Sequence, residues 1–263
     1  MTSTPVFDAL RAALRASDPV ALATVVDGPN LGAKLLVRPN TPAVGTLGDP
    51  DLDRVVARDS LGELEAGLTS TRHYGAHGEA REEVVSVFVE SFAPPPRLVI
   101  FGAVDFTAAL AKAGKLLGYR VTVCDARAVF ATVLRFPMAD EVVNDWPDRY
   151  LEKIGDELGP RDAVCVLTHD HKFDVPAIMA ASRTKVGYVG AMGSRRTHEQ
   201  RVARLREAGV TADDIERVMS PIGLDIGART PEETAISICA EIIAKRTGRV
   251  APSLRDGAGP IHS

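Results

Sequence analysis

Two glycine-rich stretches carry the residues best suited to chemistry: Tyr188-Val-Gly-Ala-Met-Gly-Ser-Arg-Arg-Thr197 and Pro221-Ile-Gly-Leu-Asp-Ile-Gly-Ala-Arg-Thr230. Each is placed to open a helix, where backbone N–H groups without intrahelical partners face whatever lies in front of them. Gly193, Ser194, Arg195, Arg196 and Thr197 combine such amides with hydroxyls and two guanidinium groups, a set that suits a phosphate or another anion. In the second stretch Gly223 and Gly227 allow close backbone approach, and Asp225 adds a carboxylate. A third stretch, Thr168-His-Asp-His-Lys-Phe-Asp174, follows an apolar run at what would be its carboxyl end, and His169 and Asp170 are its candidates for hydrogen bonding to a ligand. Metal ligation is not expected there, because neighbouring residues of one loop rarely converge on one ion and no third ligand follows at a metal-site spacing. No nucleophile beside a base and no paired carboxylates stand at recognisable spacing, so no catalytic residue is assigned.

A dinucleotide fingerprint would read Gly-x-Gly-x-x-Gly directly after the first strand of such a domain, with an acid about 20 residues on. This chain has Gly102-Ala-Val-Asp-Phe-Thr107, so only the first glycine is in place. Val104 puts a β-branched side chain where the backbone should approach a pyrophosphate, and Asp105 adds negative charge at the helix start. Asp125 stands where the ribose-binding acid would be, although strand ends often carry Asp as a turn former. Gly102 and Asp125 are therefore candidates for a nicotinamide cofactor that is possible but disfavoured, and a nicotinamide-dependent oxidoreductase is the alternative functional expectation.

The elements that must position these loops fall into two groups. Residues 6–15 read as a short amphipathic helix, Val20–Val26, Ala33–Val37 and Val84–Glu90 as strands, and Asp51–Ala66 as a charged helix. They form a smaller α+β domain over 1–92, in which Lys34 reads as an edge-strand lysine. The run Ala93-Pro-Pro-Pro-Arg97 forces extended backbone and is read as the linker. From 98 to 247 the pattern becomes short apolar runs (98–101, 121–124, 141–143, 163–167, 186–189) separated by helical stretches (106–117, 148–158, 174–182, 195–208), the rhythm of a Rossmann-like, mostly parallel sheet. A capping box Thr197-x-x-Gln200 is read near one helix start. The last helix is the plainest: Thr230 as N-cap, Pro231 next, Glu233 completing a capping box, and Gly248 at the end. Residues 248–263 are read as a disordered tail, and Trp146 and the scattered Phe and Tyr residues as core packing.

With 31 Lys and Arg against 35 Asp and Glu, the net charge of −4 offers no basic excess for nucleic acid. No apolar run approaches the roughly 20 residues of a membrane span. The first residues show no export signal. Three cysteines (Cys124, Cys165, Cys239) sit in apolar surroundings at no zinc spacing and read as buried free thiols, which fits a reducing cytoplasm.

Four strings in order, Arg135-Phe-Pro-Met-Ala-Asp-Glu141, Leu167–Asp174, Tyr188–Thr197 and Pro221–Glu232, make the chain similar to the XdhC/CoxI family of accessory proteins for molybdenum hydroxylases such as xanthine dehydrogenase and carbon monoxide dehydrogenase. Ala21–Val26 and Gly32–Val37 extend the likeness into the first domain. The resemblance implies a chaperone that binds a molybdopterin-type cofactor as cargo, assists its sulfuration by a cysteine desulfurase, and delivers it to an apo molybdenum hydroxylase, with a homodimer expected. It also implies a role for Asp225 at the amino-pyrimidine edge of a pterin. The chain departs from the family pattern in two places. Thr46–Asp53 stands where a Gly-Gly-Cys stretch is usual, and Gly102-Ala-Val-Asp105 where Gly-Ala-Gly-His is usual.

Overall fold

The structure is a computed structural model and describes residues 5–79, 83–168 and 170–256. It divides between Pro94 and Pro95 into two compact units.

The first unit runs α1 (Pro5–Ala16), β1 (Val20–Asp27), β2 (Lys34–Arg38), β3 (Thr41–Thr46), α2 (Pro50–Ala66), β4 (Ser70–Tyr74) and β5 (Val85–Phe92). Its sheet is antiparallel, in the order β3-β2-β1-β5-β4. Alternation along the strands sends Ala21, Ala23, Val25, Leu35 and Val37 towards Leu52, Val56 and Leu64 of α2. Val20, Leu22 and Leu36 point the other way, onto Ala13 of α1. The α2 helix begins where the Asp49 carboxylate accepts the N–H groups of Asp51 and Leu52, and it ends on left-handed Gly67.

Two strands escape the sequence pattern. Thr41–Thr46 holds both Pro42 and Gly45, and Ser70–Tyr74 is polar, because edge strands need bury little. Lys34 is a correction of a different kind: β2 lies between β1 and β3, so the lysine is on an inner strand, and its Nζ donates across the ladder to Thr24 Oγ1 at 2.9 Å.

The second unit runs β6 (Arg97–Phe101), α3 (Asp105–Leu116), β7 (Arg120–Cys124), β8 (Glu141–Val143), α4 (Pro147–Ile154), β9 (Ala163–Val166), α5 (His171–Ser182), β10 (Tyr188–Ala191), α6 (Arg195–Glu207), α7 (Ala212–Glu216), β11 (Val218–Met219) and α8 (Pro231–Thr247). The six strands are all parallel, in the order β11-β10-β9-β6-β7-β8, so the unit is α/β and Rossmann-like. Both faces are covered, which is why the strands read as continuous apolar runs. In β6, Leu98 and Ile100 pack with α3 and α8, while Val99 and Phe101 pack with α4 and α5.

Several bounds differ from the sequence expectation. The helix expected from 174 begins at His171, with Pro176 inside it, because Asp170 supplies the cap. The one expected over 148–158 gives way after Ile154 to a 3₁₀ turn at Gly155–Glu157. The fifth parallel strand is Tyr188–Ala191, since Tyr188 pairs with Ala163 where β9 begins and the glycine-containing stretch continues the ladder. The capping box read at Thr197–Gln200 is not formed: Ser194 is the N-cap of α6, and its Oγ accepts the Thr197 N–H. The short α7 and β11 are absent from the sequence expectation, although α7 starts on Thr211, whose Oγ1 accepts the Asp214 N–H at 3.2 Å. The capping box of α8 is formed as expected, and of the tail, Leu254–Asp256 forms a 3₁₀ turn.

Candidate functional site

The order of the six strands places the chain reversal at β6, where later strands continue on opposite sides, and open α/β sheets bind ligands at the carboxyl edge near such a point. Every predicted site residue among the described ones lies in a segment that follows the carboxyl end of one of these strands. His169 lies outside the described residues.

The turn after β6 is closed on itself. Gly102 has φ +106°, and a Cβ there would lie 2.9 Å from the Thr168 nitrogen, so the turn abuts the segment after β9. Its donors are all used: Gly102 N–H bonds to Cys124 O at 2.9 Å, Ala103 N–H to Asp125 Oδ2 at 2.7 Å, and Val104 N–H to Thr107 Oγ1 at 3.3 Å. The Asp125 carboxylate also accepts Arg127 through its backbone N–H (2.9 Å), Nε (2.9 Å) and Nη2 (2.8 Å). Burial works to raise the Asp125 pKa, but the Arg127 guanidinium and the two backbone donors outweigh it and hold it below the ordinary carboxylate range. A ribose hydroxyl would have to compete with that guanidinium, and a pyrophosphate would find no free N–H at 102–104.

Asp170 acts as the cap of α5, its Oδ1 accepting the Lys172 N–H at 3.1 Å, and it pairs with Lys172 Nζ at 3.3 Å. The turn after β10 differs. Ser194 Oγ accepts the Thr197 N–H at 3.1 Å and meets Thr197 Oγ1 at 2.9 Å. Arg195 and Arg196 are exposed, with no ion pair or side-chain hydrogen bond among the described residues. In the segment after β11, Gly223 has φ +98°, and a Cβ would meet Ser237 Oγ at 2.4 Å. Gly223 N–H donates to Glu241 Oε2 at 2.9 Å, and Ser237 Oγ donates to Leu224 O at 2.6 Å. Glu241 also accepts the Tyr188 hydroxyl at 2.6 Å. Two α8 residues thus pin 223–224, and Asp225, Ile226 and Gly227 project beyond them, exposed.

Arg201 is the organising residue that the sequence does not reveal. Its Nη2 donates to Asp174 Oδ2 and to Met192 O, both at 2.8 Å, and its Nη1 donates to Ser220 Oγ at 2.9 Å. One buried guanidinium therefore ties α5, the turn after β10 and the segment after β11 together, its side chain 3% exposed and that of Asp174 4%. In sequence it is one of five arginines in α6, and nothing in the spacing separates it from its neighbours. The candidate residues thus form two assemblies, one around Gly102 and Asp125 and the other around Gly193–Thr197 and 220–225. Among the described residues no group of three or more His, Cys, Asp or Glu side chains could hold a metal ion.

The family model of the XdhC Rossmann domain matches residues 98–242, and that of the XdhC and CoxI family matches residues 13–75. The chain belongs to the XdhC and CoxI family. Among relatives of this XdhC-family chain, an uncharacterized Escherichia coli K12 protein, YqeB, is 30% identical over 241 residues, covering 86% of this chain and 43% of that protein. A Bacillus subtilis 168 protein described as one of the probable subunits of xanthine dehydrogenase is 33% identical over 165 residues, covering 63% of this chain and 47% of its own length. The molybdenum cofactor insertion chaperone PaoD of E. coli K12 is 36% identical over 84 residues, 32% of this chain and 26% of PaoD. The XdhC-family chain thus spans less than half the length of each of these relatives. A crystal structure described as a xanthine dehydrogenase from Bacillus halodurans superposes with a TM-score of 0.55 at 20% identity, over 95% of this chain and 98% of that one, and shows a shared fold. No helix among the described residues is long and apolar enough to cross a membrane.

Proposed function

We propose that this chain is an accessory protein that carries a molybdopterin-type cofactor as cargo, assists its sulfuration, and delivers it to an apo molybdenum hydroxylase of the xanthine dehydrogenase or carbon monoxide dehydrogenase type. The observation that carries the reading is the start of α6, where Arg195 and Arg196 stand unpaired beside Ser194 and Thr197 at a helix N-terminus. That donor set fits the phosphate of a pterin cofactor, and the fit is with an anion rather than with a metal. The kinship with an insertion chaperone supplies the class of cargo. Asp225, projecting beyond the α8 anchor, is proposed to meet the amino-pyrimidine edge.

Sulfur transfer is assigned to a partner cysteine desulfurase acting on the bound cargo. The thiols of this chain are poor relays: burial pushes Cys124 up to about 12 and Cys239 up to about 11, and holds Cys165, inside the core, well above the ordinary thiol value. A cytoplasmic homodimer completes the proposal. A nicotinamide dehydrogenase has less support, because the first turn uses its own donors and Arg127 occupies Asp125.

The test is transfer. The purified chain, loaded with molybdopterin cofactor, should restore activity to an apo-hydroxylase, and Arg195→Ala/Arg196→Ala should retain at least ten-fold less cofactor. Saturable NAD(P)H binding without any retention of molybdopterin would overturn the reading.

A further inference from the structure

Trp146, the only tryptophan in the sequence, is not in the core where its type would place it. It caps α4 at the carboxyl edge and is 40% exposed, its ring centre 5.1 Å from that of Phe173. Beside it, the Arg127 guanidinium lies 4.6 Å from the centre of Phe130 and 5.9 Å from that of Phe173. Arg135 lies 5.5 Å from Phe130, which is itself 39% exposed, and Lys172 Nζ lies 4.8 Å from Phe173. Three rings and three cations thus meet where the chain leaves β7 and β8 and begins α5.

The frame beneath them is fixed. Asp125 grips Arg127, the Asn144 amide donates to Asp125 O at 2.9 Å, and the Asp145 carboxylate accepts the Trp146 N–H at 2.8 Å. Arg135 Nη1 also reaches Ala103 O at 3.2 Å, which joins the cluster to the first turn. Trp146 and Phe130 are partly in water while Phe173, 6% exposed, is buried beside them. With Arg127 held by Asp125 and Lys172 by Asp170, Arg135 is the cation of the cluster without a carboxylate partner among the described residues and favours negative charge there. Such a surface complements a flat heteroaromatic ring with an anionic substituent, since stacking and cation–π attraction act on the same ligand.

We infer that this cluster is a stacking platform for the planar heteroaromatic end of an anionic ligand. It rests on the cargo reading in one respect only, the identity of that ring as the pterin. From β7 to β10 there are three strand spacings, roughly 14 Å, so a ligand that lies on the platform and reaches Ser194–Thr197 is elongated, with its ring and its phosphate at opposite ends. Asp225 follows β11, one strand further still, so the platform and the Asp225 contact are alternative seats for the ring.

Calorimetric titration of the full chain with pterin-6-carboxylate, with Trp146 emission followed against free tryptophan as a control, tests the platform. Saturable binding with quenching is expected. Phe130→Leu and Trp146→Leu should each weaken binding about ten-fold, while Trp146→Phe, which keeps a ring, should bind within about three-fold of the parent. Thermal melts confirm that each variant is folded. Absence of pterin binding by the parent, or equal affinity in folded Phe130→Leu and Trp146→Leu, overturns the platform. Molybdopterin content of the chain purified from a host that makes the cofactor separates this from the cargo reading. A parent that carries molybdopterin with Phe130→Leu carrying as much removes the platform and leaves the cargo role. Pterin-6-carboxylate binding that depends on the rings, in a parent that never carries molybdopterin, keeps the platform and removes the cargo role.

Discussion

The turns at Gly102 and Gly193 hold equivalent places: each follows a strand of the same parallel sheet, each has a glycine at positive φ, and each opens a helix. They differ in where their donors go. At 102–104 the N–H groups end on Cys124 O, Asp125 and Thr107, and the Arg127 guanidinium beside them is neutralised by Asp125. At 194–197 a single serine closes the cap, and two guanidinium groups reach solvent unpaired. A glycine shows only that the chain turns. Which turn can hold an anion depends on donors left over after the fold has used its own.

Four variants put this contrast between the turns at risk. The largest effect is expected from Arg201→Met, which removes the buried guanidinium shared by Asp174, Met192 O and Ser220 and should cost about 3–5 kcal/mol of stability. Urea denaturation measures it, and an unchanged midpoint would mean that Arg201 does not organise the second assembly. Next is Gly102→Ala. Its Cβ would crowd the Thr168 backbone at an unfavourable φ, so a loss of about 1–3 kcal/mol is expected, with affinity for pyrophosphate unaltered. The exposed Arg195→Ala/Arg196→Ala should do the reverse. Stability should stay within about 0.5 kcal/mol of the parent, while pyrophosphate affinity falls ten-fold or more, about 1.4 kcal/mol. If the glycine variant loses the anion and the arginine variant keeps it, the roles of the two turns are exchanged.

The smallest effect concerns His198, on the helix that the second turn opens. Partial burial first, and the Arg201 cation second, lower its pKa below the ordinary 6.5. The unfolded chain therefore takes up the proton more readily than the folded one, and the folded state loses stability as pH falls through 6.5. An NMR titration should place the His198 midpoint below 6.5, and His198→Gln should narrow the difference in melting temperature between pH 7.5 and 5.5. A midpoint above 6.5 would show that the ring is not shielded as described.

Much of the α/β architecture is legible in the sequence because both-face burial writes itself as short apolar runs, as in Leu98–Phe101 and Ala163–Val166. The α8 start is equally plain, since a capping box is a local pattern. The edge strands β3 and β4 are not, because a strand that buries one face poorly leaves little periodicity. The candidate site is legible as segments but not as roles. Asp170 offers the same carboxylate whether it binds a ligand or caps a helix, and only the Lys172 N–H in front of it shows which it does here. Arg201, Ser237 and Glu241 act across 9 to 53 residues of sequence, so no local spacing marks them. Residue type alone sends Trp146 to the core, whereas its place is fixed by the cap of α4.

The ends of the parallel sheet have a consequence for solubility. Its outer strands are Val218–Met219 on one side and Glu141–Val143 on the other, two and three residues long. Unpaired strand edges recruit other chains in proportion to the length they offer, and these offer almost none. In the antiparallel sheet the outer strands are longer but carry Pro42 on one side and Arg72 and His73 on the other, residues that resist a new partner by a missing donor or by charge. Crowded or concentrated chains of this protein should therefore resist growing into shared sheets.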